Sequence, residues 1–110
     1  MKMEQTQPSE RLDLQVQLSK VTSVISSKVV SCSVQAHSPD LGTIVVTVSG
    51  MFSVMQRVFV VARRRNEEKD RYDWFLYCNG KKFTGAALSE VYTVIGREVQ
   101  RTANVMMSMR

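Results

Sequence analysis

The apolar residues of this chain change period once, near Thr84, and that change constrains the fold more than any other feature. Between Lys28 and Asn79, β-branched and aromatic residues alternate at period two, the pattern of strands with two distinct faces. Beyond Thr84, Leu88, Val91, Ile95, Val99, Ala103 and Met106 recur every three to four residues. That spacing gathers them into one stripe of an amphipathic helix, with Glu90, Arg97, Arg101 and Asn104 off it. The expected class is α+β, a four-stranded antiparallel sheet followed by a long C-terminal helix over 84–107.

The strands are delimited by turn chemistry. Residues 28–36 place Val30, Cys32, Val34 and Ala36 on one face, and Pro39, Asp40 and Gly42 turn the chain. Residues 43–49 return with Ile44, Val46 and Val48 together, and Gly50 opens a loop. Residues 56–64 form the third strand and 71–79 the fourth, which Asn79-Gly80 closes. Each connection is too short for a crossover helix, so an antiparallel meander is expected.

The third and fourth strands are apolar on both faces. Val58, Val60 and Ala62 alternate with Phe59 and Val61, and Trp74 and Leu76 with Phe75 and Tyr77. One helix covers one face, and the second apolar face then needs a cover of its own. Ile44, Val46, Val48, Val58, Val60 and Leu76 are expected under the helix. Val45, Phe59, Val61, Phe75 and Tyr77 are expected on the bare face, which makes them the predicted partner-binding residues.

Residues 1–9 are polar and read as a disordered lead-in, and residues 10–110 as a single domain large enough for its own core. The start of that domain is ambiguous. Leu12, Leu14, Val16 and Leu18 lie at period two, whereas Leu14, Leu18, Val21 and Ile25 lie at helical spacing behind a possible cap at Ser9. Both a strand and a helix remain open on the residues alone.

Chemistry-bearing motifs are sparse. His37 is the only histidine and sits in a Ser/Pro/Asp turn without an identifiable partner, and no nucleophile turn or glycine-rich phosphate loop occurs. Cys32 and Cys78 have no metal-ligand spacing and read as reduced, buried thiols. The expectation is no enzymatic activity, no metal and no cofactor. Residues 1–55 carry four basic and four acidic residues, so the net charge of +5 resides in the second half, with eleven basic and six acidic ones. A basic half suits an RNA partner, for which Arg63, Arg64, Arg65, Lys81 and Lys82 are the candidate contacts. Glu67, Glu68 and Asp70 follow the arginines at once, the mixed-sign cluster of a solvated hairpin tip. Met51–Met55 is unusually apolar for a loop and suggests burial by a partner. No unbroken apolar run exceeds five residues, far short of the ~20 that cross a bilayer, so no membrane is expected. With no cleaved targeting signal visible, the expected location is nucleus or cytoplasm.

Taken together, SSKVVSCSVQAHSPDLGTIVVTVSG, QRVFVVARR and WFLYCNGKKF resemble the second half of the nuclear transport factor 2-like family. Gln35, Pro39, Gly50, Phe59, Phe75, Asn79 and Phe83 fall where the family pattern places such residues, over about residues 12–83. The resemblance implies a cystatin-like sheet that dimerises through its face, as in the small subunit of the mRNA-export receptor heterodimer. It also implies a short helix before the first strand, which favours helix for 10–20. The N-terminal helices with which family members open are lacking, and a long C-terminal helix stands where the family usually stops. A non-enzymatic protein-interaction subunit follows, pairing with a different chain more readily than with itself, in nuclear transport or mRNA export. An RNA-binding or ribonucleoprotein subunit is the alternative.

Overall fold

The computed structural model describes residues 8–23, 25, 30–85 and 87–108. The chain runs α1 (Pro8–Ser19), a 3-10 turn (Lys20–Ser23), β1 (Val30–Ser38), β2 (Leu41–Ser49), β3 (Val54–Asn66), β4 (Arg71–Cys78), β5 (Lys81–Gly85) and α2 (Leu88–Ser108). The α+β class, the antiparallel sheet and the C-terminal helix are as expected. The sheet, however, has five strands rather than four, in the order β1-β2-β3-β4-β5.

The fifth strand follows from turn chemistry. Asn79 and Gly80 both have positive φ, 55° and 74°, and Cys78 pairs with Lys81 across them, so the two residues form a tight hairpin turn. Such a turn returns the chain antiparallel to itself. Residues 81–85 show little strand pattern, because Phe83 is the single large apolar residue among two lysines, a threonine and a glycine. Lysines on a short edge strand also discourage pairing with other chains. Thr84 and Gly85 therefore belong to β5, and α2 starts later than expected. Its first turn is closed by Glu90, whose Oε1 accepts the Ala87 N–H at 3.0 Å.

Both helices lie on one face of the sheet, α1 over β1 and β2 and α2 over β2 to β5. Beneath them Ile44, Val46, Val48, Phe59, Val61, Trp74 and Leu76 are buried against Leu14, Leu18, Val91, Ile95 and Val99. Of the two readings of the N-terminal segment, the helix is adopted over Pro8–Ser19, and of the helical-period set it buries Leu14 and Leu18, while Val21 is buried from the 3-10 turn and Ile25 from just beyond it. Ser9 is inside α1 rather than at its cap, and Pro8 opens the helix, where its missing N–H costs nothing. Of the expected disordered lead-in, residues 1–7 lie outside the described residues. Gly42 is not a turn residue but lies within β2, where a Cβ would meet Leu18 Cδ1 at 2.5 Å. Its bare backbone lets α1 settle onto the sheet.

Candidate functional site

The strand register fixes which residues share the face without helices. Val45 pairs with Val58, Val60 with Tyr77, and Ala62 with Phe75, so these six side chains form one apolar band across β2, β3 and β4. Val58 is 50% and Tyr77 40% exposed, and the other four are half-buried. Among the described residues no helix lies over this band. Ser31, Ser33 and Gln35 of β1 border it on one side, paired with Thr47, Val45 and Thr43. Lys82 and Thr84 of β5 border it on the other, paired with Tyr77 and Phe75. Lys82 Nζ lies 5.0 Å from the Phe75 ring centre. Towards the β3–β4 turn the band meets a shallow open depression of about 310 Å³ edged by Arg64, Asn66, Asp73 and Phe75.

Of the five predicted partner-binding residues, Val45, Phe75 and Tyr77 are on the open face. Phe59 and Val61 are not: both have 0% exposure and face the helices. Conversely Val58 and Val60, expected under the helix, are on the open face beside Val45 and Tyr77. The phase of β3 is thus shifted by one residue from the expectation. The physical reason is that β3 is apolar on both sides, so alternation defines two faces without saying which is which. The cross-strand partners decide it, and Ile44 pairs with Phe59 rather than with Val58.

The basic candidates separate in the same way. Arg63 is buried on the helix side, its Nε 3.1 Å from Asp40 Oδ1 and its guanidinium 4.4 Å from the Tyr72 ring centre and 5.8 Å from that of Trp74. It is a structural cation that joins the β1–β2 turn to the β3–β4 hairpin. Arg65 pairs with Asp70 and stacks over Tyr72. Arg71 lies 3.5 Å from Asp73, which also accepts a hydrogen bond from Asn66. Arg64, Lys81 and Lys82 are exposed, and Arg64 and Lys82 share the open face with Phe75 and Tyr77.

Elsewhere the reactive groups are scattered. His37 Nε2 lies 2.8 Å from the Thr43 hydroxyl at the surface. Cys32 and Cys78 are free thiols, and burial pushes both upward from the ordinary thiol range. For Cys78, the Glu98 carboxylate adds to that rise and the Arg57 guanidinium opposes it. Among the described residues no three His, Cys, Asp or Glu side chains group as metal ligands, and no helix is long and apolar enough to cross a membrane. Met51 and Phe52, in the expected apolar loop, are 89% and 88% exposed. Compared with protein-family models, curated proteins and solved structures, the chain finds no match.

Proposed function

We propose that this chain is a non-enzymatic interaction subunit that binds another protein through the open face of its sheet. The observation that carries this reading is the unbroken band of Val45, Val58, Val60, Ala62, Phe75 and Tyr77, with both helices on the opposite side. Apolar side chains aligned over three central strands gain by being covered, and the two aromatics are the natural anchors. The polar border on β1 and β5 suits the rim of an interface that excludes water from its centre. The partner is a different chain, so that the whole forms a heterodimer. The resemblance to the nuclear transport factor 2-like family supplies the setting: a cystatin-like sheet serving nuclear transport or mRNA export, in the nucleus or cytoplasm.

The test is Tyr77→Glu in the full chain, with affinity purification from the native cell and circular dichroism on the same preparation. The partner that co-purifies with the natural chain should be lost while the spectrum is retained. Binding that survives the substitution would move the interface elsewhere.

A second reading, single-stranded RNA on the same face, draws on Lys82 beside Phe75 and on Arg64 at the band's edge. Bases stack on exposed aromatics while cations hold the phosphates, and such binding weakens steeply with salt. Asp73 offsets part of that charge, which is why the protein partner is preferred. Salt-dependent RNA binding that Lys82→Glu abolishes would reverse the preference.

A further inference from the structure

Residues 12–18, Leu-Asp-Leu-Gln-Val-Gln-Leu, satisfy two periods at once, and the helix uses only one of them. In α1, Leu14 and Leu18 are fully buried, whereas Leu12 and Val16 are 61% and 58% exposed. The same segment lies against the free edge of β1. Gln15 Nε2 donates to the Val34 carbonyl at 2.6 Å, and Gln15 Oε1 accepts the Ala36 N–H at 2.8 Å. A carbonyl and an N–H two residues apart on a strand point the same way, so the Gln15 amide fills two hydrogen-bonding positions that an N–H and a C=O of a neighbouring strand would otherwise take.

We propose that residues 12–18 are a switch segment with a second seat, in which they leave the helix and add to the outer edge of β1 as a sixth, antiparallel strand. The pattern fits on both faces. With Leu18 opposite Val30, Val16 falls opposite Cys32, Leu14 opposite Val34 and Leu12 opposite Ala36, so all four apolar residues join the partly covered helix-side row of β1. Asp13, Gln15 and Gln17 then join Ser31, Ser33 and Gln35 on the other side, polar with polar. Residues 19–29 give eleven residues for the connection. The helical seat is held by Leu14 and Leu18 in the core, with Leu18 in the notch at Gly42, by the Gln15 clamp, and by the Tyr92 hydroxyl donating to the Gln17 carbonyl. Moving the segment uncovers the β1–β2 end of the helix-side face, which α1 otherwise occupies. The switch therefore acts on a different surface from the open-face band and does not depend on that reading.

Gln15→Val in the full chain removes the clamp and raises strand propensity, and nuclear magnetic resonance reads the result. The expected outcome is a change of the residue 12–18 Cα shifts from helical to extended. The Ala36 amide should stay protected from exchange and the Cys32 amide, on the same outward row, should gain at least tenfold. Adding Val16→Asp, exposed in the helix but set in the apolar row of the strand, should restore the helical shifts. Gly42→Ala, whose Cβ meets Leu18 Cδ1 at 2.5 Å and, less closely, the Gln35 carbonyl at 3.2 Å while leaving Gln15 in place, should favour the strand as well and serves if Gln15→Val fails to fold. Helical shifts retained in both Gln15→Val and Gly42→Ala would overturn the proposal. So would a coil at 12–18 with fast exchange at Ala36, or protection at Cys32 that grows with protein concentration, since a second copy would then supply the strand.

Discussion

Val58 and Phe59 are consecutive in β3 and similar in hydrophobicity, yet one is half exposed and the other is sealed from solvent. Along β3 the two faces are built from similar apolar residues and differ in what lies over them. On the helix side Ile44, Val46, Val48, Phe59, Val61 and Leu76 are buried in one core with residues of α1 and α2, and even the polar Arg63 is enclosed by aromatic rings and an aspartate. On the open side the same aliphatic pattern ends at solvent. In β3, composition therefore says little about which face is a core. The pairing partner and the layer above it decide.

The sharpest way to break this comparison is to truncate one residue on each side. Phe59→Ala should cost about 3–5 kcal/mol, the range for deleting a large aromatic from a packed core. Val58→Ala should stay within roughly 0.5 kcal/mol, as surface substitutions usually do. Urea denaturation of the two variants measures both. Equal losses would mean that the open face is a core in the isolated chain and that something covers it.

Arg63 carries the comparison to charged residues. Arg63→Ser removes a buried cation from two rings and from Asp40, and a loss of about 1–3 kcal/mol is expected. The Asp40 side chain is 61% exposed, which keeps the ion-pair share small. Arg64→Ser and Arg65→Ser should each change stability by less than about 0.5 kcal/mol. Thermal melts of the three variants test the ranking, and similar shifts for all three would refute the structural role given to Arg63.

Much of this architecture is legible in the sequence, and the failures have local causes. The α2 stripe is readable because its outer positions are polar, so only one helical phase buries its apolar residues. β2 is readable because Gly42, Ile44, Val46 and Val48 leave mostly threonine and serine on the other side. β3 is not, since both of its phases are apolar. β5 is hidden by a lysine-rich composition, although Asn79-Gly80 announces a returning strand. Arg63, Arg64 and Arg65 look equivalent in sequence, and only the register of β3 with Trp74 and the reach to Asp40 single out the first. In the candidate site, Val45, Phe75 and Tyr77 are accessible to alternation arguments, whereas Val58, Val60 and Ala62 need the β2–β3 pairing.

The smallest expected effect concerns pH and sharpens the same contrast. Cys32 and Cys78 face the helices, and Tyr92 belongs to α2, which covers that face. Burial raises all three above their ordinary values of 9.0, 9.0 and 10.0. Each group keeps its proton to higher pH in the folded chain than in the unfolded one. Between the two values the folded state therefore binds more protons, and linkage makes stability fall as pH rises. The contribution is fully present below pH 9, where the unfolded thiols are still protonated, and is lost as pH climbs through the raised folded values. Urea midpoints measured in reductant should hold between pH 7 and 8.5 and decline from pH 9 upward. Replacing both cysteines by serine removes the thiol share, so the decline should begin nearer pH 10, where the unfolded tyrosine titrates. A midpoint that stays level or rises from pH 8.5 to 10.5 would mean that the helix-side groups are as well solvated as an open chain, against the burial on which the contrast of faces rests.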